Sequence, residues 1–324
     1  MRRVREAGVK GVVRMLGSFE DGDTFVFVIE YYPGESLAKE LRACKRFSPE
    51  RAQFITASLV STLSSLHKAR ILHRDIKPGN ILFTASGAVV LADFGLSVVF
   101  EDSEEELTTG DAGTWAFMAP EMFVGEMYGY EVDFWAVGVV LYLMLTGKVP
   151  FGRRTRCIKD LVDCIMHDPL LFSTRIDAVT QDLLKKLLAR NPDDRLRRVE
   201  DIKAHAYFRN INWNTFRNEQ YSVRTHDSLL LGRETIYVGQ KDIRSIPFTT
   251  KPDWDGSEYP DFYYISPELA HEDTFKGASI SDDMATPADS KYPSIGRMKT
   301  GDSNRRERRW YQRLFNVAEI QSTL

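Results

Sequence analysis

The run His73-Arg74-Asp75-Ile76-Lys77-Pro78-Gly79-Asn80, followed by Asp93-Phe94-Gly95, constrains this chain more than any other feature. Ser48 with Pro49 behind it is a helix-start signal, and Phe54, Ile55, Leu59, Leu63 and Leu66 recur at helical spacing as far as His67. A long helix therefore runs directly into the polar loop. Behind the loop, residues 81–83 and 89–92 read as short strands around Ser86-Gly87, so Asp93 emerges at a strand end. One carboxylate, one ammonium and one carboxamide thus sit in a loop between helix and hairpin, with a second carboxylate delivered nearby.

The rest of the chain divides around this centre. Residues 12–19 and 24–30 are β-rich, and Glu20-Asp21-Gly22-Asp23 between them suits a hairpin turn. Tyr31-Tyr32-Pro33-Gly34 then breaks the pattern like a hinge. Helical patterns return over 131–145, 159–166 and 178–188. From about residue 210 the pattern weakens, and 271–304, rich in Ser, Asp, Lys, Gly and Pro, is expected to be disordered. Residues 305–320 recover amphipathic character, and no internal repeat is apparent.

Bulk properties exclude some classes. With 43 basic against 46 acidic residues, overall charge points neither to a bulk nucleic-acid binder nor to a membrane binder. No nucleic-acid partner is expected. Cys44, Cys157 and Cys164 lack zinc-site spacing, and their odd number fits reduced intracellular thiols that pack as small hydrophobes. Arg2, Arg3 and Arg5 are not followed by the apolar run of a signal peptide. The longest apolar stretch, 134–145, falls short of the roughly 18 to 20 residues that span a bilayer, so a buried core helix is expected and no transmembrane segment.

With Ala119-Pro120-Glu121 downstream, the motifs resemble the catalytic half of a eukaryotic protein kinase. Lys77 and the Thr114 of Gly113-Thr114-Trp115-Ala116 resemble the serine/threonine kinases, although Trp115 stands where Pro is common. The resemblance implies an α+β, protein-kinase-like fold with an incomplete small β-rich lobe and a mostly helical large lobe. The expected divisions are 1–32 for the small-lobe remnant, 33–208 for the large lobe, 209–270 for a tail, 271–304 for the disordered stretch and 305–320 for a basic amphipathic helix.

It further implies transfer of the ATP γ-phosphate to protein Ser/Thr hydroxyls with Mg²⁺. Asp75 accepts or orients the hydroxyl proton, Lys77 steadies the transferring phosphate, and Asn80 and Asp93 hold the metal. Carboxylate and carboxamide oxygens are hard ligands that suit Mg²⁺. Glu30 and Tyr32 would offer backbone groups to adenine, Ile29 would be the gatekeeper, and Leu82 would pack under the purine. Asp133 would hold the catalytic-loop backbone, and Glu121 would pair with Arg195.

The family pattern also includes a Gly-rich loop, a β3 lysine and an αC glutamate, which precede these motifs. The chain is expected to begin after them, with residues 2–7 as the end of αC. An active but shortened kinase and a non-catalytic kinase-like scaffold both remain open. Subgroup signals are mixed. Gly113-Thr114-Trp115-Ala116-Phe117-Met118-Ala119-Pro120-Glu121 resembles calcium/calmodulin-dependent kinase kinases. His205-Ala206-Tyr207-Phe208, and more faintly Pro247-Phe248 with Asp253 and Phe262, resemble the protein kinase A, G and C group, whose tail wraps back onto the small lobe.

Between Asp93 and Glu121, the acidic run 101–106 leads to Thr108 and Thr109. Phosphate on either threonine would pair with Arg74; a solvated loop, or a run whose own carboxylates partly replace phosphate, are the alternatives. Gly79 stands where basophilic kinases carry Glu, and Arg153, Arg154 and Arg156 are basic, so weak preference for Arg-rich substrates is expected. The 305–320 helix suits docking on the body, with calmodulin or an anionic membrane as less favoured partners. An intracellular, cytoplasmic location is expected, with the nucleus as an alternative.

Overall fold

A computed structural model describes residues 1–219, apart from 22–23, 103–104, 154 and 156, together with residues 264–265. Their contacts define two compact units, one holding Met1–Val13 and the described chain from Tyr32 to residue 219, the other holding Arg14–Tyr31 and the described residues 264–265. The elements in chain order are α1 (Arg2–Glu6), β1 (Met15–Asp21), β2 (Thr24–Ile29), α2 (Leu37–Cys44), α3 (Pro49–Lys68), β3 (Ile71–Leu72), β4 (Ile81–Phe83), β5 (Val89–Leu91) and β6 (Val98–Val99). They continue as α4 (Pro120–Val124), α5 (Glu131–Thr146), α6 (Ile158–His167), α7 (Ala178–Leu187), α8 (Val199–Ala204), α9 (Trp213–Glu219) and β7 (Tyr264–Ile265).

The helical unit is organised around α5. This helix is apolar on every side, and each residue from Val132 to Met144 is buried, as a central core helix requires. The expected core helix is therefore present. Packed against it is α3, which starts as read: Ser48 Oγ accepts the Arg51 N–H at 3.3 Å and Pro49 occupies the first turn. Gly138 lets α7 approach α5 closely, since a Cβ there would lie 3.0 Å from Leu187 and Leu188. Asp177 caps α7 by accepting the Val179 and Thr180 N–H groups at 2.9 and 3.0 Å.

Short strands frame the polar loop. β4 and β5 form the expected hairpin, with Ile81 opposite Leu91 and Phe83 opposite Val89, while β3 pairs antiparallel with β6. Val12 and Val13, expected at the start of the first hairpin strand, lie instead along β5. Val13 N–H donates to Leu91 O at 2.9 Å and Leu91 N–H to Gly11 O at 2.8 Å. The apolar run identifies extended chain but not its partner, because pairing is chosen by the whole fold. The short helix α2, with only Leu37 and Leu41 buried, gave no readable period, although Ser36 caps it.

In the second unit, β1 and β2 form the predicted antiparallel hairpin, with Asp21 opposite Thr24 and Met15 opposite Ile29. β7 adds to the other edge of β1, pairing Ile265 with Gly17 and Tyr264 with Ser18. A segment of the expected tail thus extends the strand-rich unit. The stretches 271–304 and 305–320 lie outside the described residues. Among the described residues no helix is long and apolar enough to cross a membrane. Cys44 and Cys164 are half-buried free thiols, whereas Cys157 is exposed at the start of α6 rather than packed.

Candidate active site

The loop between β3 and β4 hangs on Asp133, a carboxylate from the first turn of α5 that is 1% exposed. It accepts the backbone N–H groups of His73 (3.1 Å) and Arg74 (2.9 Å) and the Nε2–H of His67 from the end of α3 (2.8 Å). Burial pushes this carboxyl upward, but the His67 hydrogen bond and the Arg74 N–H more than offset it and hold it below the usual carboxylate range. His73 is fully buried and pushed down by burial. Its Nδ1 accepts the Asp75 N–H (3.3 Å) and its Nε2–H donates to Ala92 O (3.1 Å), the pattern of a neutral ring. Arg74 and Asp93 both adopt left-handed backbone, at φ 67° and 62°. Such conformations persist where surrounding contacts over-determine them.

Three of the predicted side chains converge. Asp75, only 4% exposed, takes the Lys77 ammonium (2.7 Å) and the Asn80 amide (3.0 Å) on Oδ2. Its Oδ1 takes the backbone N–H and the hydroxyl of Thr114, at 3.0 and 2.9 Å. Lys77 Nζ also donates to Thr114 Oγ1 at 2.9 Å. Thr114 reaches this position because Gly113, at φ 124°, brings the chain against the loop; a Cβ there would sit 2.6 Å from Arg74 O. Thr114 was legible only as part of a motif, and its role as cross-link required the tertiary contact.

The Ala92 N–H donates to Asn80 O at 2.8 Å, so the chain delivering Asp93 is bonded to the loop carrying Asn80. Asp93 is exposed, and its Oδ1 accepts the Gly95 N–H at 3.2 Å. Asn80 spends its amide N–H groups on Asp75, which leaves its carbonyl oxygen as the group suited to a cation. Among the described residues no set of His, Cys, Asp and Glu forms a metal cage. The donor set of one carboxylate and one carboxamide oxygen fits Mg²⁺ that draws its remaining ligands from phosphate and water.

Of the predicted nucleotide-binding residues, Leu82 and Tyr32 are half-buried and pack on one small apolar cluster with Val13, Val90 and Ala92. Glu30 belongs to the hairpin unit, where its N–H donates to Arg14 O at 2.9 Å. Ile29, in the same unit, is 49% exposed.

Glu121 and Arg195 form the expected buried pair, bidentate at 2.5 and 2.9 Å, with the guanidinium 5.1 Å from the Trp135 ring centre. Trp115 opens a short 3₁₀ turn and packs half-buried on the core. Arg74 donates to Leu96 O (2.7 Å) and to the Tyr128 hydroxyl (3.2 Å). Thr108 pairs its backbone with Tyr128, and Thr109 is exposed. Arg153 turns onto Tyr142, its guanidinium 5.6 Å from the ring centre, whereas Arg154 and Arg156 lie outside the described residues. His67, Arg70 and Tyr128 carry no motif and were missed by reading the sequence.

The helix, loop, hairpin and bonded polar cluster define a phosphoryl-transfer fold of the kinase class. Residues 1–208 match the protein kinase domain, and the chain belongs to that family. It is 36% identical over 214 residues to the serine/threonine protein kinase ypkA of Aspergillus fumigatus, covering 65% of this chain and 33% of that one. It is 38% identical over 200 residues to the mouse serine/threonine-protein kinase Sgk2 (61% and 54%), and 33% identical over 207 residues to Protein kinase C-like 1 of Caenorhabditis elegans (63% and 29%). The chain thus spans about a third to a half of the length of these relatives. The last of these names falls on the A, G and C side of the mixed resemblance.

Proposed function

We propose that this protein is a serine/threonine kinase that transfers the γ-phosphate of ATP to protein hydroxyls. The observation that carries the reading is the convergence of Lys77, Asn80 and Thr114 on the Asp75 carboxylate. In this reading Asp75 accepts a hydrogen bond from the substrate hydroxyl, aligns its oxygen with the γ-phosphorus, and takes the proton as the new O–P bond forms and the bond from the γ-phosphorus to the bridging oxygen breaks, ADP leaving with that oxygen. Lys77 leans from Asp75 toward the transferring phosphate and offsets its charge. Asn80 and Asp93 would hold Mg²⁺, whose charge would offset that of the phosphate oxygens. Leu82 supports the purine while Tyr32 presents a backbone group to its edge. ATP and a protein are the two substrates, and the reduced cysteines accord with an intracellular setting.

The test is Mg²⁺-dependent transfer of labelled phosphate to a generic protein substrate by the purified protein beside its Asp75→Asn and Asp93→Asn forms. Transfer that both variants abolish supports the reading. Transfer that survives in both, or partner binding with no transfer at all, would overturn it in favour of a scaffold.

A further inference from the structure

Arg70 lies in the turn between α3 and β3, at φ 59°, a left-handed backbone that an arginine adopts only under constraint. Its backbone carbonyl accepts the Phe100 N–H at 2.9 Å, which continues the pairing of β3 with β6. Its guanidinium then reaches across the acidic stretch that follows. Nε donates to Phe100 O (3.3 Å), one terminal nitrogen to Glu101 O (2.6 Å), and the other to Glu106 Oε1 (2.8 Å). One side chain, 23% exposed, therefore joins the two ends of the 101–106 run to the base of the loop that carries Asp75.

We propose that Arg70 is a positioning residue that staples this segment to the catalytic loop through Glu106, so that the segment is ordered without an added phosphate. The inference rests on the kinase reading, in which the segment leading to Thr114 must be in place for a protein substrate to bind. The Glu106 carboxylate on the planar guanidinium makes the charge-assisted contact that a phosphate on an arginine would otherwise make, and the two carbonyls take the remaining donors of the fork. Tyr128, fully buried, supplies a second fastening: its hydroxyl donates to Gly110 O (2.6 Å) and accepts from Arg74, while its backbone exchanges two 2.9 Å bonds with Thr108. Arg3 of α1 adds ion pairs to Asp102 (3.1 Å) and Glu101 (3.7 Å). Those carboxylates are 90% and 68% exposed, so solvent screens them and the Arg70 contacts dominate.

The experiment follows amide exchange over residues 98–110, without nucleotide or substrate, in phosphatase-treated protein and in its Arg70→Gly and Glu106→Gln forms. Glycine accepts the left-handed backbone, and Glu106→Gln keeps the shape while removing the charge, so one remains informative if the other fails to fold. The expected result is slow exchange in the phosphate-free protein and exchange faster by about tenfold or more in either variant. Exchange across α5 stays unchanged, and KM for peptide rises while KM for ATP holds. Fast exchange in the phosphate-free protein that slows only once Thr108 or Thr109 is phosphorylated would overturn the proposal, as would unchanged exchange in both variants. Exchange is read without turnover, so a protein that transfers no phosphate yet loses protection in the variants would sink the kinase reading and leave the staple standing.

Discussion

Thr114 ties the carboxylate and the ammonium of the candidate site together, since its hydroxyl donates to Asp75 and accepts from Lys77. Without it both side chains lose a shared anchor. Thr114→Ala is expected to lower kcat by about a hundredfold, the scale of a small misplacement of reacting groups, with KM for ATP little changed. Thr114→Ser restores the hydroxyl and should restore most of the rate; a serine form as slow as alanine would show that the hydroxyl is not what matters. Gly79, exposed beside Lys77, has room for a side chain, because a Cβ there would meet only Lys77 Cε at 3.9 Å. Gly79→Glu should therefore fold and shift a peptide array toward Arg near the acceptor by opposite charge. An unchanged array would remove this position from substrate choice.

At the scale of elements, α3, α5 and the β4–β5 hairpin were legible because each buries a regular apolar pattern and begins or ends on a recognisable signal. Val12 and Val13 were not, since an extended apolar run does not name the strand it will pair with. The join between α5, the loop and α3 is electrostatic and makes a pH prediction. His73, pushed down by burial, is neutral in the fold; its contribution is present above the unfolded value near 6.5 and is lost as pH falls through the folded one. Asp133, held down by its hydrogen bonds, contributes above the unfolded value near 4 and loses that contribution on further acidification. Both act in one direction. Tm should begin to fall below about pH 6.5 and fall again below about pH 4; Asp177 is also held down by its cap hydrogen bonds, so Asp133→Asn should shrink the second fall rather than remove it. A Tm independent of pH from 7 to 3 would contradict this.

Across the whole helical unit, Glu121 near the site and Arg195 far along the chain are joined by one bidentate pair with both side chains buried. Removing one partner strands a charge, so Arg195→Ala should cost about 3 to 5 kcal/mol in urea unfolding. Replacing both residues with apolar ones of similar size should cost much less. An unchanged midpoint in the single variant would show the pair to be dispensable. The loop and Asp93 were readable from one chain because their chemistry demands particular residue types at short, ordered separations, whereas this pair, 74 residues apart, was expected only from the family resemblance. Arg70 meeting Glu106, Tyr128 meeting Arg74, and Thr114 bridging Asp75 to Lys77 were not readable. Residue types and periods determine which segments are helix, strand or polar loop, since those choices depend on local backbone geometry and burial. Which distant side chains meet depends on how those segments pack, and only the tertiary structure decides that.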